Sequence, residues 1–223
     1  MYLNASDLLD LLPRALRRPV REGWAIIGTL TLIGLVLLRW RTASLLVFAL
    51  IAAVVAALRD PERRIQFAGD ALAPADGRVM SIETVTDDYF GIEMLQISVF
   101  LALWHVHIQR IPLSGQIVFD RVTPGGFLPA MFASSGSNFQ RSTYLQTAWG
   151  PCVVTQISGL IARRIVSWVA PGDIVAVGDR LGMIKFGSRV QVRFPIGTTA
   201  LVQVGQEIRA GMTPIARRQH SAQ

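Results

Sequence analysis

The stretch LGMIKFGSRVQVRFP, residues 181–195, decides the predicted architecture of this chain. Apolar residues alternate with other residues on both sides of a central Gly187-Ser188 pair, which predicts a strand, a tight kink and a second strand. Gly187 can adopt backbone angles that other residues avoid. Because the Ser188 hydroxyl directly follows this unhindered carbonyl, a fold that strains the peptide bond would let Ser188 Oγ attack it and cut the chain. An ordinary Gly-Ser turn is the alternative, since turns favour both residue types.

The length indicates one moderate domain with an attachment, or two small domains, and the composition points to a membrane-embedded part. Of the 223 residues, 51% are apolar and only 17% are charged, a balance that is unusual for a soluble protein. The net charge of +7 at pH 7 suits an anionic membrane or a nucleic acid. Because the sequence shows neither an aromatic-and-basic nucleic-acid motif nor zinc-ligand spacing, we expect a membrane partner and no nucleic acid.

The chain has a single lysine, Lys185, and a single cysteine, Cys152. A pyridoxal phosphate enzyme would have to use Lys185, whose neighbours do not resemble a site for that cofactor. Cys152 cannot form an internal disulfide, and we expect it to be a small buried apolar residue rather than a nucleophile.

Residues 1–62 are predicted to anchor the chain in a membrane. Four arginines lie among apolar residues in positions 1–22, which is typical of an amphipathic helix on an anionic surface; a solvated basic leader is the alternative. Two apolar runs follow, at 24–38 and 43–58. Each is slightly shorter than the roughly 20 residues of a full span, so we expect a helical hairpin that crosses or re-enters the bilayer, or else a buried hairpin of a soluble protein. The arginines before the first run favour both termini, and residues 63–223, in the cytoplasm.

Residues 63–223 are predicted to be mainly β, forming a sandwich or barrel domain. Turn signals such as PADG at 74–77 and PGD at 171–173 separate short strand-like runs at regular intervals. The same reading predicts single strands over 92–104 and 152–168, and a short helix over 127–134.

Residues 101–112 contain His105 and His107 at positions that would share one face of a strand. A metal site would need further ligands, and the remaining histidine is His220, so we expect no metal. An acid–base histidine and a structural histidine both stay open. Asp76 is either a turn former or an acid that orients a histidine near Ser188.

Four motifs together resemble the short form of phosphatidylserine decarboxylase, a pyruvoyl-dependent membrane enzyme. They are APADGRV at 73–79, VHIQRIPLSG at 106–115, QISGLIARRI at 156–165 and GDRLGMIKFGSRV at 178–190. The resemblance covers most of the chain from the hydrophobic hairpin onward. All four motifs in this order, behind such a hairpin, make it specific.

The resemblance implies a proenzyme of phospholipid biosynthesis that cuts itself between Gly187 and Ser188. The cut would leave two associated chains, 1–187 and 188–223, and would convert Ser188 into a covalent pyruvoyl group that replaces metal and pyridoxal phosphate. This group would form a Schiff base with the serine amine of phosphatidylserine, and loss of CO₂ would give phosphatidylethanolamine. A homo-oligomer is compatible with this reading.

The resemblance also implies roles for individual residues of this chain. Ser188 matches the pyruvoyl precursor, Gly187 the cleavage site, His107 the proton donor and Asp76 the acid that supports self-cleavage. Longer family members have a second histidine where this chain has Arg110, and arginine cannot act as a general base at neutral pH. Their Asp-His-Ser relay therefore does not carry over intact. Either His107 serves both steps, or strain and a backbone oxyanion site are sufficient.

The arginines of these motifs are candidates for the substrate phosphate. Arg163 and Arg164 would point to opposite faces of a strand, where one of them could contact a lipid phosphate; a solvated edge is the alternative. Arg110 is a third candidate for the same contact.

Two other functions fit parts of the sequence. A membrane-tethered carrier or adaptor domain is suggested by the Gly-Asp turns at 172–173 and 178–179, but its modifiable lysine should lie on a hairpin tip, whereas Lys185 lies in a strand-like run. A pyruvoyl decarboxylase of a soluble amino acid would not need the hydrophobic hairpin.

Overall fold

The computed structural model describes residues 14–65, 69–129, 136–160, 164–185 and 188–219. The chain divides into two compact units, Met1–Glu62 and Arg63–Gln223. The first unit is helical and the second consists of strands.

The helical unit is a hairpin. Helix α1 covers Arg14–Val36, a 3₁₀ turn covers Leu37–Arg39, and helix α2 covers Arg41–Ala57. The Ser44 hydroxyl donates a hydrogen bond to the Gly34 carbonyl at 3.2 Å, and a Cβ atom on Gly34 would lie 3.3 Å from the Phe48 ring. The two helices therefore pack closely where residue 34 has no side chain. Residues 1–13, which include much of the predicted amphipathic helix, lie outside the described residues.

Within the described residues, neither helix combines the length and the apolar character needed to cross a membrane. Several large apolar side chains are nevertheless exposed on this unit, including Trp24, Leu32, Val36, Leu45 and Leu46. The membrane role of the hairpin stays a prediction.

The second unit contains fourteen strands among the described residues. They are β1 (Ala71–Leu72), β2 (Gly77–Thr86), β3 (Glu93–Leu101), β4 (Ile108–Arg110), β5 (Gly115–Thr123), β6 (Gln140–Thr147), β7 (Gly150–Ile157), β8 (Ile165–Ser167), β9 (Ile174–Val175), β10 (Arg180–Ile184), β11 (Ser188–Pro195), β12 (Thr198–Ala200), β13 (Glu207–Ile208) and β14 (Pro214–Arg218).

These strands form one large sheet and two small ones. The large antiparallel sheet has the order β13-β2-β3-β11-β7-β6-β5-β9 and curls into a half-barrel. The small sheets have the orders β4-β10-β8 and β1-β14-β12. The prediction of a mainly β protein is confirmed.

Strand β11 lies near the centre of the large sheet, paired with β3 on one side and β7 on the other. Its side chains alternate as the sequence predicts: Val190, Val192 and Phe194 are completely buried in the main core. On the opposite face, Arg193 Nε donates to Gln96 Oε1 at 2.8 Å and Arg189 Nη2 to Ser98 Oγ at 3.2 Å. One face of β11 therefore supplies core contacts and the other a polar ladder.

Two predicted strand boundaries are wrong. The run 152–168 is not one strand, because β7 ends in the large sheet at Ile157 and β8 begins in a small sheet at Ile165. The run 92–104 ends at Leu101, since the His105 amide donates to the Ala102 carbonyl at 3.0 Å and closes a turn.

The predicted helix over 127–134 falls partly outside the described residues, and residues 127–129 are not helical. Both the amide and the carbonyl of Leu128 bond to the side chain of Asn138, at 2.8 Å each. These contacts replace the hydrogen bonds that a helix would form there.

The chain changes sheets between β10 and β11. Strand β10 pairs with β4 and β8 in a small sheet, whereas β11 begins at Ser188 in the large one. Ladder hydrogen bonds therefore hold both ends of the three-residue connection 185–187, which we call the sheet crossing. The crossing contains the Gly187 end of the predicted cleavage site.

Gly182 in β10 is predicted to be intolerant of a side chain. A Cβ atom at this position would lie 2.2 Å from the Val166 carbonyl oxygen and 3.2 Å from Gln156 Nε2. We expect Gly182→Ala to lower the free energy of unfolding by about 1–3 kcal/mol because the neighbouring strands must move. Urea denaturation of the purified chain in detergent measures this. Gly136→Ala is the control, since nothing lies within 4 Å of its Cβ position; equal losses in the two variants would contradict the prediction.

Candidate active site

Ser188 is the first residue of β11 and its side chain is completely buried. It pairs with Leu101 of β3, which is also completely buried. The Ser188 hydroxyl has no hydrogen-bond partner among the described residues. A buried hydroxyl without a partner is unfavourable, so its place at the sheet crossing calls for a functional explanation. Gly187 lies outside the described residues.

Two further buried polar groups on β7 and directly beyond it share this side of the sheet. Arg189 pairs with Ile157 and Val190 with Gln156, and extending this register by one residue beyond the end of β7 would place Ser158 opposite Ser188. Residues that lie opposite each other point to the same face. Ser158 Oγ and Gln156 Oε1 are both buried without a partner among the described residues. We call Ser188, Ser158 and Gln156 the polar triplet.

A pair of glutamines connects the polar triplet to the small sheet. Gln156 Nε2 donates to Gln109 Oε1 at 2.8 Å, and Gln109 Nε2 donates to the His107 carbonyl at 2.9 Å. A backbone carbonyl only accepts hydrogen bonds, so the network fixes both amide orientations and leaves Gln156 Oε1 as the unused acceptor. This amide bridge joins β7 of the large sheet to β4 of the small one.

His107 directly precedes β4 and is completely buried. Its Nδ1 lies 2.8 Å from the His105 carbonyl oxygen, which can only accept, so Nδ1 carries a hydrogen and Nε2 is the nitrogen that can exchange a proton. The Ile184 amide donates to the His107 carbonyl at 3.2 Å. Because Ile184 ends β10, this bond fixes His107 beside the start of the sheet crossing.

The expectation that His105 and His107 share one face of a strand is wrong. Both residues lie outside the strands, in the segment between β3 and β4. His105 Nδ1 accepts the Ala102 amide at 3.0 Å, and its Nε2 lies 3.4 Å from a Glu207 carboxylate oxygen. Only His107 is thus held beside the sheet crossing.

Asp76 is buried in the turn before β2, and its carboxylate binds two groups. Oδ1 accepts the Ala210 amide at 2.8 Å, and Oδ2 accepts Arg63 Nη2 at 2.7 Å. Neither bond reaches His107 or Ser188. The same turn contacts β4, because the Arg110 amide donates to the Pro74 carbonyl at 2.8 Å. The Asp76 carboxylate thus has structural partners, and its role in self-cleavage stays a prediction.

The three candidate arginines lie in different surroundings. Arg110 is buried and its Nη1 donates to the Gly178 carbonyl at 2.9 Å. Arg164 is exposed, and its carbonyl accepts the Lys185 amide at 3.3 Å, so it lies beside the sheet crossing. Arg163 lies outside the described residues. Their contact with a substrate phosphate stays a prediction.

Sequence reasoning missed the residues that complete the site. Gln109, Gln156 and Ser158 all lie inside the motifs at 106–115 and 156–165, which was the available signal. The two amides neither titrate nor act as nucleophiles, and the position of Ser158 within its motif does not single out its hydroxyl. Cys152 behaves as expected: it is completely buried in the main core, and burial raises the pKa of its thiol. Among the described residues, no group of three or more His, Cys, Asp or Glu could hold a metal ion.

Comparison with known proteins decides the family. A family model described as phosphatidylserine decarboxylase matches residues 50–216. The chain is similar to phosphatidylserine decarboxylase proenzymes of Burkholderia multivorans, Burkholderia cenocepacia and Burkholderia vietnamiensis. Each is 41% identical over 206 residues, which cover 88% of this chain and 94% of the relative.

The chain belongs to the phosphatidylserine decarboxylase family. This family consists of carboxy-lyases that use a pyruvoyl group. Membership favours an enzyme over a carrier domain.

The residues around Ser188 fit a pyruvoyl group. Formation of this group must keep the rest of β11 in place while Cα of residue 188 becomes a ketone carbonyl, Cβ becomes a methyl group and the backbone nitrogen is lost. Strand pairing with β3 and β7 holds β11, and Ser158 Oγ and Gln156 Oε1 supply unpaired polar atoms on the same face. Unpaired buried polar atoms beside residue 188 suit a small reactive carbonyl, and an ordinary Gly-Ser turn does not account for them.

Asp76 is expected to support self-cleavage through its position rather than through proton transfer. We predict that Asp76→Asn lowers stability by about 1–3 kcal/mol, because Arg63 loses a charged acceptor, and that it slows the cut because β4 and His107 shift. Thermal unfolding and a denaturing gel over time measure the two effects.

Asp70→Asn is the matched control. Asp70 is equally buried and binds Arg217 Nε at 2.7 Å, in the small sheet β1-β14-β12. It should lose stability and still cut at the parent rate. Equal slowing in both variants would show that Asp76 acts only through global stability.

Proposed function

We propose that this chain is a phosphatidylserine decarboxylase proenzyme that cuts itself between Gly187 and Ser188 and converts phosphatidylserine into phosphatidylethanolamine. The observation that carries the proposal is the completely buried Ser188 hydroxyl, unpaired among the described residues, at the point where the chain changes sheets. Family membership supplies the substrate and the reaction.

Self-cleavage uses atoms of the chain and one water molecule. Ser188 Oγ attacks the Gly187 carbonyl carbon, and the acyl group moves from nitrogen to oxygen. Loss of the Cα proton of residue 188 then breaks the Cβ–Oγ bond, so that Oγ leaves in the new carboxylate of Gly187. The remaining amino end takes up water and releases ammonia, which leaves a pyruvoyl group at residue 188.

The two products should stay associated. The short chain 188–223 contains β11, which pairs with β3 and β7 of the long chain. It also contains β13 and β14, which pair with β2 and β1. Cutting one peptide bond removes none of these ladders.

Ser188 requires activation before it attacks. Arg110, in the place of the second histidine of longer relatives, is buried and donates to Gly178, and its guanidinium cannot accept a proton at neutral pH. His107 is the described histidine held beside the sheet crossing, and its Nε2 can accept one. We assign proton removal to His107, aided by the strands that hold both ends of the crossing.

The pyruvoyl group supplies a carbonyl that condenses with the substrate amine and accepts the electron pair released as CO₂ leaves. The chain holds the other participants in place. His107, with Nδ1–H bound to the His105 carbonyl, presents Nε2 to give a proton back at the end of the reaction. Complete burial of Ser188 and His107 keeps bulk water away from both steps.

The helical hairpin is proposed to hold the enzyme on an anionic membrane. Exposed apolar side chains such as Leu32, Val36, Leu45 and Leu46 support contact with lipid. The exposed Arg164, next to the sheet crossing, and Arg163 are the proposed contacts of the lipid phosphate. The arginine-rich start of the chain supports a cytoplasmic position of the catalytic unit.

Ser188→Ala tests the proposal directly. The variant lacks the attacking oxygen, so it should remain a single chain on a denaturing gel and release no CO₂ from phosphatidylserine. Ser98→Ala is the control, since Ser98 is also completely buried but lies on the opposite face, beside Arg189. A Ser188→Ala protein that still decarboxylates the lipid would overturn the assignment.

His107→Ala should lose decarboxylation by about 10²–10⁴-fold, the usual contribution of a positioned proton donor, and should still sediment with membranes. Its cut should also slow, because the same imidazole is assigned to both steps. His105→Ala is the control and should retain most activity. Full decarboxylase activity in His107→Ala would remove the proton-donor assignment.

A further inference from the structure

Two members of the polar triplet still need partners after self-cleavage. The cut removes Ser188 Oγ, which leaves with the carboxylate of Gly187. Ser158 Oγ and Gln156 Oε1 stay, both completely buried and unpaired among the described residues. Buried polar groups are rarely left unsatisfied in native proteins, so these two atoms mark a place where a polar ligand binds in the mature enzyme.

The two atoms have complementary chemistry. Gln156 gives its Nε2 hydrogen to Gln109, so its Oε1 is available only as an acceptor and suits an N–H group. The Ser158 hydroxyl can donate and suits a carboxylate oxygen. A primary amine with an adjacent carboxylate presents both partners at once.

Strand register, extended by one residue beyond β7, puts both side chains next to residue 188. Ser158 lies opposite residue 188, where Cβ atoms are typically about 5 Å apart, and Gln156 is its diagonal neighbour at about 7–8 Å. Both side chains share the face of residue 188. On the other side of residue 188, Leu101 offers only apolar contacts, so polar recognition falls to the β7 side.

We propose that Gln156 Oε1 accepts an N–H of the substrate amine and that Ser158 Oγ donates to the substrate carboxylate. These two contacts select the amino-acid end of the lipid and orient it at residue 188. The inference rests on the proposed function and adds to it the residues that recognise the serine head group.

Reductive trapping tests the two contacts separately. Purified chain in detergent is incubated with short-chain phosphatidylserine or phosphatidylethanolamine and cyanoborohydride, which fixes the amine covalently to the small chain. Intact mass gives the fraction modified at each lipid concentration, counting all lipid adducts. Phosphatidylethanolamine has the amine and lacks the carboxylate, so the two lipids separate the proposed contacts.

Ser158→Ala should raise the half-saturating concentration of phosphatidylserine about tenfold, as expected for a lost hydrogen bond to a charged group, and leave that of phosphatidylethanolamine unchanged. Ser158→Thr keeps the hydroxyl and should restore phosphatidylserine trapping. Gln156→Met, which lacks the acceptor, should weaken trapping of both lipids. Cys152→Ala, on the same face of β7 but in the main core, is the control and should change neither.

Three outcomes would overturn the inference. Ser158→Ala could affect both lipids equally, it could affect neither, or the substituted chains could fail to cut, which would place the pair in self-cleavage instead. Failure of the parent chain to cut or to trap either lipid is a different result, since it removes the proposed function itself and the inference with it.

Discussion

The structure depends on one constraint: within residues 185–187 the chain must leave one sheet and enter another. Strand β10 is fixed by β4 and β8, and β11 is fixed by β3 and β7. Ladder hydrogen bonds therefore fix the last residue of β10 and the first residue of β11 in different sheets. A self-cleaving enzyme needs a peptide bond whose neighbours stay in place before and after the cut. Under the proposed self-cleavage, the same ladders would hold the new chain end in the site.

The amide bridge between Gln109 and Gln156 connects the large sheet to the segment beside the crossing. It ties β7 of the large sheet to the segment that carries His107, so the proton-exchanging imidazole and the buried serine belong to one connected structure. Gly182 makes room for it, because a side chain there would meet the amide of Gln156. Gly182 and the two glutamines thus support a site whose proposed reacting groups are Ser188 and His107.

Much of the fold and of the candidate site could be predicted from the sequence. The remaining features depend on contacts between distant parts of the chain, which local patterns do not reveal. The alternation in β11 and the Gly187-Ser188 pair are local patterns, and they predicted the strands around the site. The amide bridge joins residues 47 positions apart, and periodicity within one strand carries no information about a partner in another sheet. The prediction that His105 and His107 share one face of a strand was wrong because a turn at 102–105 ends β3. The hydrogen bonds of Asp76 could not be predicted from the sequence either, since its partners Arg63 and Ala210 are not its neighbours in the chain.

In the proposed mechanism, this chain makes its own catalytic group from Ser188. Intact mass and amino-end analysis of the unmodified chain, purified from membranes that decarboxylate phosphatidylserine, test this most directly. We predict two chains, the shorter one comprising residues 188–223 with a pyruvoyl group instead of a free amine at its first residue. A single intact chain of 24.4 kDa from such active membranes would contradict the account.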